Sequence, residues 1–137
     1  MSQPLDLTSL SKALQRLAEG LARYRSDTSD TQIRDGLIQR FEFTYEISHK
    51  MLKRFLESAS ATPSSFDAMP FADLIRSGNE QGLLLGKWTD WKRYREMRSL
   101  TSHTYDENVA LGVVEGIPAF LAEAEFFLKQ LQERNAE

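Results

Sequence analysis

Arg98, His103 and Tyr105 stand within eight residues of one another, in the run Arg-Ser-Leu-Thr-Ser-His-Thr-Tyr. Four residues separate the arginine from the histidine. A guanidinium is always charged, and an imidazole titrates near neutrality. Together with a phenol, these are the groups that phosphate chemistry uses. The chain has only two histidines, so the position of this one carries weight.

The 137 residues are 41% hydrophobic, which suits one domain, residues 1–137, around one buried core. Cysteine is absent, so disulfides and thiolate metal sites are excluded. The histidines are well apart, so no His-rich metal motif is present, and no cofactor is expected. No basic start leads into a continuous apolar stretch, so no signal peptide is expected. The apolar runs fall short of the roughly 20 residues a membrane span needs. The expectation is a soluble, cytoplasmic protein without membrane contact. A net charge of −3 argues against bulk attraction to nucleic acid, while leaving room for a local basic face.

The elements that must position the motif read as helices. Leu7, Leu10, Leu14, Leu17, Leu21 and Tyr24 step by three and four residues, as one helical stripe does. Asp6 is the expected N-cap of this helix. A polar loop over 26–30 follows. A longer helix is predicted over 31–58, capped by Asp30, with Ile33, Leu37, Phe41, Thr44, Ser48, Leu52 and Phe55 on one face. Residues 58–65 are small and polar and read as a loop. Pro70 opens a short helix over 71–76 that Gly78 is expected to end. The segment 81–86, with three leucines between glycines, fits either a helix fragment or a buried turn.

A helix over 87–100 carries Trp88, Trp91, Tyr94 and Arg98. Thr104 and Glu107 have capping-box spacing, so a last helix is expected to begin near Tyr105. Its stripe is Val109, Val113, Ile117, Phe120, Ala124, Phe127 and Leu131, with Pro118 predicting a kink near Val114. No segment alternates in steps of two. The predicted class is all-α: an up-down four-helix bundle with a short additional helix.

On an unbroken helix, residues five apart point about 140° away from each other. The motif therefore needs the helix to end before His103, with a turn folding His103 back toward Arg98 and Tyr105 in the first turn of the next helix. A purely structural role is open too. Arg98 could neutralise a helix C-terminus, His103 could bond a loop carbonyl and Tyr105 could pack.

The residues around the motif resemble a known family. Arg40-Phe41-Glu42-Phe43-Thr44-Tyr45-Glu46-Ile47-Ser48-His49-Lys50 is similar to a block of the nucleotidyltransferase substrate-binding proteins, the HepT-like branch of the HEPN superfamily. That block ordinarily ends in Trp-Lys, where this chain has His49-Lys50. The tryptophan helix and Thr101 to Glu107 resemble the family's terminal block. The resemblance implies a helical bundle that forms homodimers and pairs with a small nucleotidyltransferase. It implies a metal-independent ribonuclease acting through Arg98 and His103, silenced when the partner transfers AMP to Tyr105. Ser99 stands where the family often has asparagine, and takes a supporting place as a hydroxyl rather than an amide. The alternative is a non-catalytic substrate-binding subunit of the nucleotidyltransferase.

Such a ribonuclease would use the substrate's own 2′-hydroxyl as nucleophile, His103 as acid or base, and Arg98 on the scissile phosphate. Five basic residues and two acidic ones lie between Lys87 and Arg98. Lys92, Arg93 and Arg95 could hold an RNA backbone beside Trp88, Trp91 and Tyr94, or the tryptophans could be core and the charges a solvated face. His49 reads as packed or facing a partner. Glu42 and Glu46, four apart on one helix face, lack a third metal ligand and read as surface or interface, and Arg40 as a contact for the dimer or partner.

Overall fold

A computed structural model of the chain describes residues 4–136. Its α-helices are α1 (Thr8–Ser26), α2 (Thr31–Ser58), α3 (Phe71–Glu80), α4 (Trp88–Leu100) and α5 (Glu107–Asn135). One-turn 3-10 helices lie at Pro63–Phe66 and Thr101–His103. The architecture is all-α, four longer helices with the short α3, and there is no strand among the described residues. α1 packs mainly on α2 and also on α5, α4 lies against α5 and α2, and α3 bridges α2 and α4.

The apolar stripes turn inward as their spacing predicts. Leu10, Leu14, Leu17 and Leu21 of α1 are buried, as are Leu37, Phe41 and Leu52 of α2. Val113, Ile117, Phe120, Ala124, Phe127 and Leu131 of α5 complete the face. Ile33, Phe55 and Val109, at the edges of their stripes, are half-buried. The ring of Phe120 meets Phe41 edge-on at 5.0 Å and Tyr94 at 5.3 Å, the geometry the aromatic quadrupole favours. Truncating a buried phenylalanine of this kind costs about 3–5 kcal/mol.

Several ends differ from the sequence reading. Helix α1 runs through Ser26, and its N-cap is Leu7 rather than Asp6. Asp6 instead accepts a hydrogen bond from the Thr8 N–H at 3.0 Å, one residue before the cap position. Asp30 caps α2 as expected, accepting from Gln32 N at 3.0 Å and Ile33 N at 3.1 Å. Gly78 does not end α3. A Cβ there would lie 2.9 Å from Leu84 Cδ1, so this glycine serves close packing inside the helix.

The left-handed residue that stops α3 is Gly82, at φ 73°. Leu83 N bonds Gly78 O and Gly82 N bonds Asn79 O, the paired bonds of a Schellman end. The leucine segment after it is a turn: Leu83 and Leu84 are buried and Leu85 is exposed. Helix α5 begins at Glu107 and is capped by Asp106, not Thr104. It continues through Pro118 to Asn135 without a break.

Candidate functional site

Helix α4 brings the motif to one end of the bundle. Asp90 Oδ2 accepts from the Lys87 N–H at 3.2 Å, satisfying a free donor at the helix start. Trp91, Tyr94 and Met97 face inward, with Trp91 only 1% exposed. Met97 needs Gly116 opposite it on α5, where a Cβ would sit 2.5 Å from the Met97 sulfur. This register leaves Lys92, Arg93, Arg95 and Ser99 exposed and Arg98 at the boundary with α2. Of the two tryptophans, Trp91 is too deeply buried to stack a base. Trp91 is core, and Trp88 is half-buried with its ring 5.8 Å from that of Phe71. Burial also pushes the Tyr94 hydroxyl up to about 12.

The α-helix ends at Leu100, and the 3-10 turn Thr101–His103 follows. The hydroxyls of the motif close this connection. Thr101 Oγ1 donates to Arg98 O at 2.8 Å, and Thr104 Oγ1 donates to Thr101 O at 3.3 Å. Because α5 begins at Glu107, Asp106 is the residue at the cap position, accepting from Asn108 N and Val109 N. His103 is exposed. Tyr105 precedes α5 rather than entering its first turn, and it is 88% exposed. The two rings lie edge to face at 6.2 Å.

Arg98 turns the other way. Its Nε donates to Glu46 Oε1 at 3.1 Å and its Nη2 donates to the same oxygen. Glu42 Oε1 lies 3.4 Å from Nη2, and Nη1 reaches Thr101 Oγ1 at 3.4 Å. The Glu46 bond raises the guanidinium pKa still further above its already high value. Among the described residues no hydrogen bond joins Arg98 to His103. Within one chain the turn therefore does not hydrogen-bond the imidazole to the guanidinium, whose partners are Glu46 and Thr101. Ser99 Oγ donates to Arg95 O at 3.1 Å, an internal helix bond.

Glu42 and Glu46 gain a part here that the sequence did not reveal. They are partners of Arg98; their spacing of four puts them on one face of α2 but does not name the arginine that meets them. His49, one turn beyond Tyr45, packs its ring at 4.6 Å from Phe71. Arg40, expected at a dimer or partner contact, donates from Nη1 to Arg16 O at 2.7 Å and so ties α2 to α1. A cavity of about 370 Å³ opens beside Arg98, lined by residues of α2, α3 and α4. A larger one, about 510 Å³, lies between Ala72, Arg76 and Trp88 and does not touch the motif.

Among the described residues no three acidic, histidine or cysteine side chains are grouped as metal ligands. No helix among them is long and apolar enough to cross a membrane. The arrangement can bind an anion at Arg98 and exchange a proton at His103, provided a substrate or a second copy bridges the two.

Comparison with known proteins adds relatives. The family model described as nucleotidyltransferase substrate binding protein like matches residues 5–133. A protein of Haemophilus influenzae described as probable ribonuclease HepT is 44% identical over 100 residues, covering 73% of this chain and 68% of that protein. A solved Haemophilus influenzae structure, described as the fold of a substrate-binding domain of a nucleotidyltransferase, superposes with a TM-score of 0.86. It is 35% identical, and the match covers 93% of this chain and 99% of that one.

Proposed function

The chain belongs to the nucleotidyltransferase substrate-binding-protein-like family, and on that premise we propose that it is the ribonuclease component of a two-component system with a small nucleotidyltransferase. The observation that carries this reading is an anchored Arg98 in the last turn of α4 and an exposed His103 in the turn that follows it. The name of the Haemophilus influenzae relative, a probable ribonuclease, supports it.

The cleavage needs no metal. The substrate's 2′-hydroxyl attacks the adjacent phosphorus, the 5′-oxygen leaves, and the product is a 2′,3′-cyclic phosphate. One imidazole takes the 2′-hydroxyl proton and another protonates the leaving oxygen. In a homodimer each protomer brings one His103, so the two roles fall to two copies of the same residue. Arg98 holds the phosphate and stabilises the charge that builds on its oxygens. Lys92, Arg93 and Arg95 are exposed around α4, with Arg95 on the α3 side and Arg93 on the α5 side, and their charge attracts the strand. AMP transferred to Tyr105 by the partner would set a bulky anion two residues from His103, where it competes with RNA phosphate for Arg98.

One observation favours a second reading, a non-catalytic binding subunit. Within one chain Arg98 is already held by two carboxylates and makes no hydrogen bond to His103. An RNA cleavage assay of the purified protein, run beside Arg98→Ala and His103→Ala, separates the two. Loss of cleavage by at least about 100-fold in both variants is expected for phosphate and proton-transfer groups. A folded wild-type dimer that leaves both tRNA and mRNA intact would sink the ribonuclease reading in favour of the binding subunit.

A further inference from the structure

The cavity beside Arg98 has a floor and a wall of different character. Phe71 of α3 and His49 of α2 form the floor, their rings 4.6 Å apart at 60°. Arg95 stands over the Phe71 ring with its guanidinium carbon 5.7 Å from the centroid, and Arg98 adds a second cation. Glu46 completes the lining. Both bonds from Arg98 end on its Oε1, and among the described residues Oε2 accepts none. The volume, about 370 Å³, falls within the range of small-molecule sites.

A planar heterocycle with a flanking phosphate fits this combination. Its π-face would lie on the His49 ring with Phe71 set edge-on beside it, its N–H edge would meet Glu46 Oε2, and its phosphate would meet Arg95 and Arg98. Burial, assisted by Lys53 and Arg95, pushes the His49 imidazole down and so favours the neutral ring, which has one donor and one acceptor to offer a base edge. A base inside a duplex has no free face to offer, so the strand must be unpaired there.

We propose that this cavity, with His49 as its specificity-determining residue, receives one unpaired base of the RNA strand whose phosphate lies on Arg98. The identity of the strand rests on the ribonuclease reading, but base binding at His49 does not depend on cleavage. The site therefore selects where the strand is cut by the base it holds, while His103 lies outside it in the α4–α5 turn.

The test uses fluorescence anisotropy of four single-stranded RNA oligonucleotides, one for each base, 2′-O-methylated so that no nucleophile is present. The wild type is expected to prefer one base over the others. His49→Ala is expected to weaken that best oligonucleotide about tenfold and to flatten the preference, as loss of one stacked base does. His49→Gln, which keeps the polar edge and much of the volume, recovers part of the discrimination and guards against a folding artefact. Arg95→Gln weakens all four alike and lowers the salt dependence.

A folded His49→Ala protein with unaltered affinity for all four oligonucleotides would overturn the proposal, and so would a wild type that binds none. A free 5′-mononucleotide that binds as tightly as the oligonucleotide would overturn the RNA assignment in favour of a nucleotide ligand. Base preference that depends on His49 in a protein that leaves unmodified RNA intact would refute the ribonuclease reading and sustain the base site.

Discussion

Glu46 Oε1 accepts from both Nε and Nη2 of Arg98, and so ties the middle of α2 to the last turn of α4 across 52 residues of chain. Arg98 keeps 31% of its side chain exposed and Glu46 keeps 47%. A pair this open adds little to stability, typically below about 1 kcal/mol. Its effect is to hold the guanidinium plane in one orientation. Glu46→Ala is therefore expected to leave the thermal midpoint nearly unchanged and to lower the cleavage kcat by about tenfold to 100-fold through misplacement of Arg98. An unaltered kcat would show that the carboxylate does not position the arginine.

The buried end of α2 makes a different kind of pair. Arg34 is buried, and its Nη1 and Nη2 donate to the two oxygens of Glu107 at 2.7 and 3.0 Å. The Arg34 hydrogen bond holds the Glu107 carboxyl below its ordinary value of 4.5. With the folded-state value depressed, the contribution is present above the unfolded value and is lost as pH falls through the folded one. Urea unfolding at pH 7 should find Glu107→Gln less stable than wild type, and the gap should close as the pH drops below about 4.5. A gap independent of pH would mean that the charge of Glu107 is irrelevant to Arg34.

Glu123 is buried in α5 and fastens the α3–α4 connection, accepting from Leu85 N at 2.7 Å and Gly86 N at 2.6 Å. Burial pushes this carboxyl up, while the two N–H bonds pull it down. Glu123→Ala leaves both backbone donors without their acceptor and should cost roughly 3 kcal/mol in urea unfolding. Glu123→Gln retains one acceptor oxygen and should cost about half as much. Because the folded-state value is raised, this group favours folding less as pH rises through the window above 4.5.

Tyr105 is 88% exposed, so it contributes little to the core. Tyr105→Phe should change stability by less than about 0.5 kcal/mol. Incubated with the candidate nucleotidyltransferase and ATP, the wild type should gain the mass of one AMP, and Tyr105→Phe should gain none. Modification of the phenylalanine variant to the same extent would place the acceptor elsewhere.

Much of the fold is legible along the chain. The stripes of α1, α2 and α5 are set by spacing, because every third or fourth apolar residue returns to the same side of a helix. Asp30 caps α2 because a short carboxylate at that position reaches the free N–H groups by itself. The ends that misled are those fixed by packing and by the exact start of the helix. Gly78 and Gly82 both look like helix stops, and only the packing of Leu84 against the first shows that the second does the stopping. The capping-box spacing of Thr104 misleads because Thr101–His103 forms a further turn and α5 starts only at Glu107, which puts Asp106 at the cap.

The candidate site divides along the same line. Arg98, His103 and Tyr105 could be picked out from residue types and spacing, since the chemistry of a side chain belongs to its sequence position. Glu46, His49 and Phe71 could not be joined to Arg98 that way, because no local rule relates residues on three different helices. Sequence by itself determined the helical class, the apolar faces and the identities of the reactive groups. Tertiary structure alone decided that α4 turns Arg98 toward Glu42 and Glu46 of α2. The reason is that burial of Trp91, Tyr94 and Met97 sets the rotation of α4, and that rotation fixes where every other side chain on the helix must point.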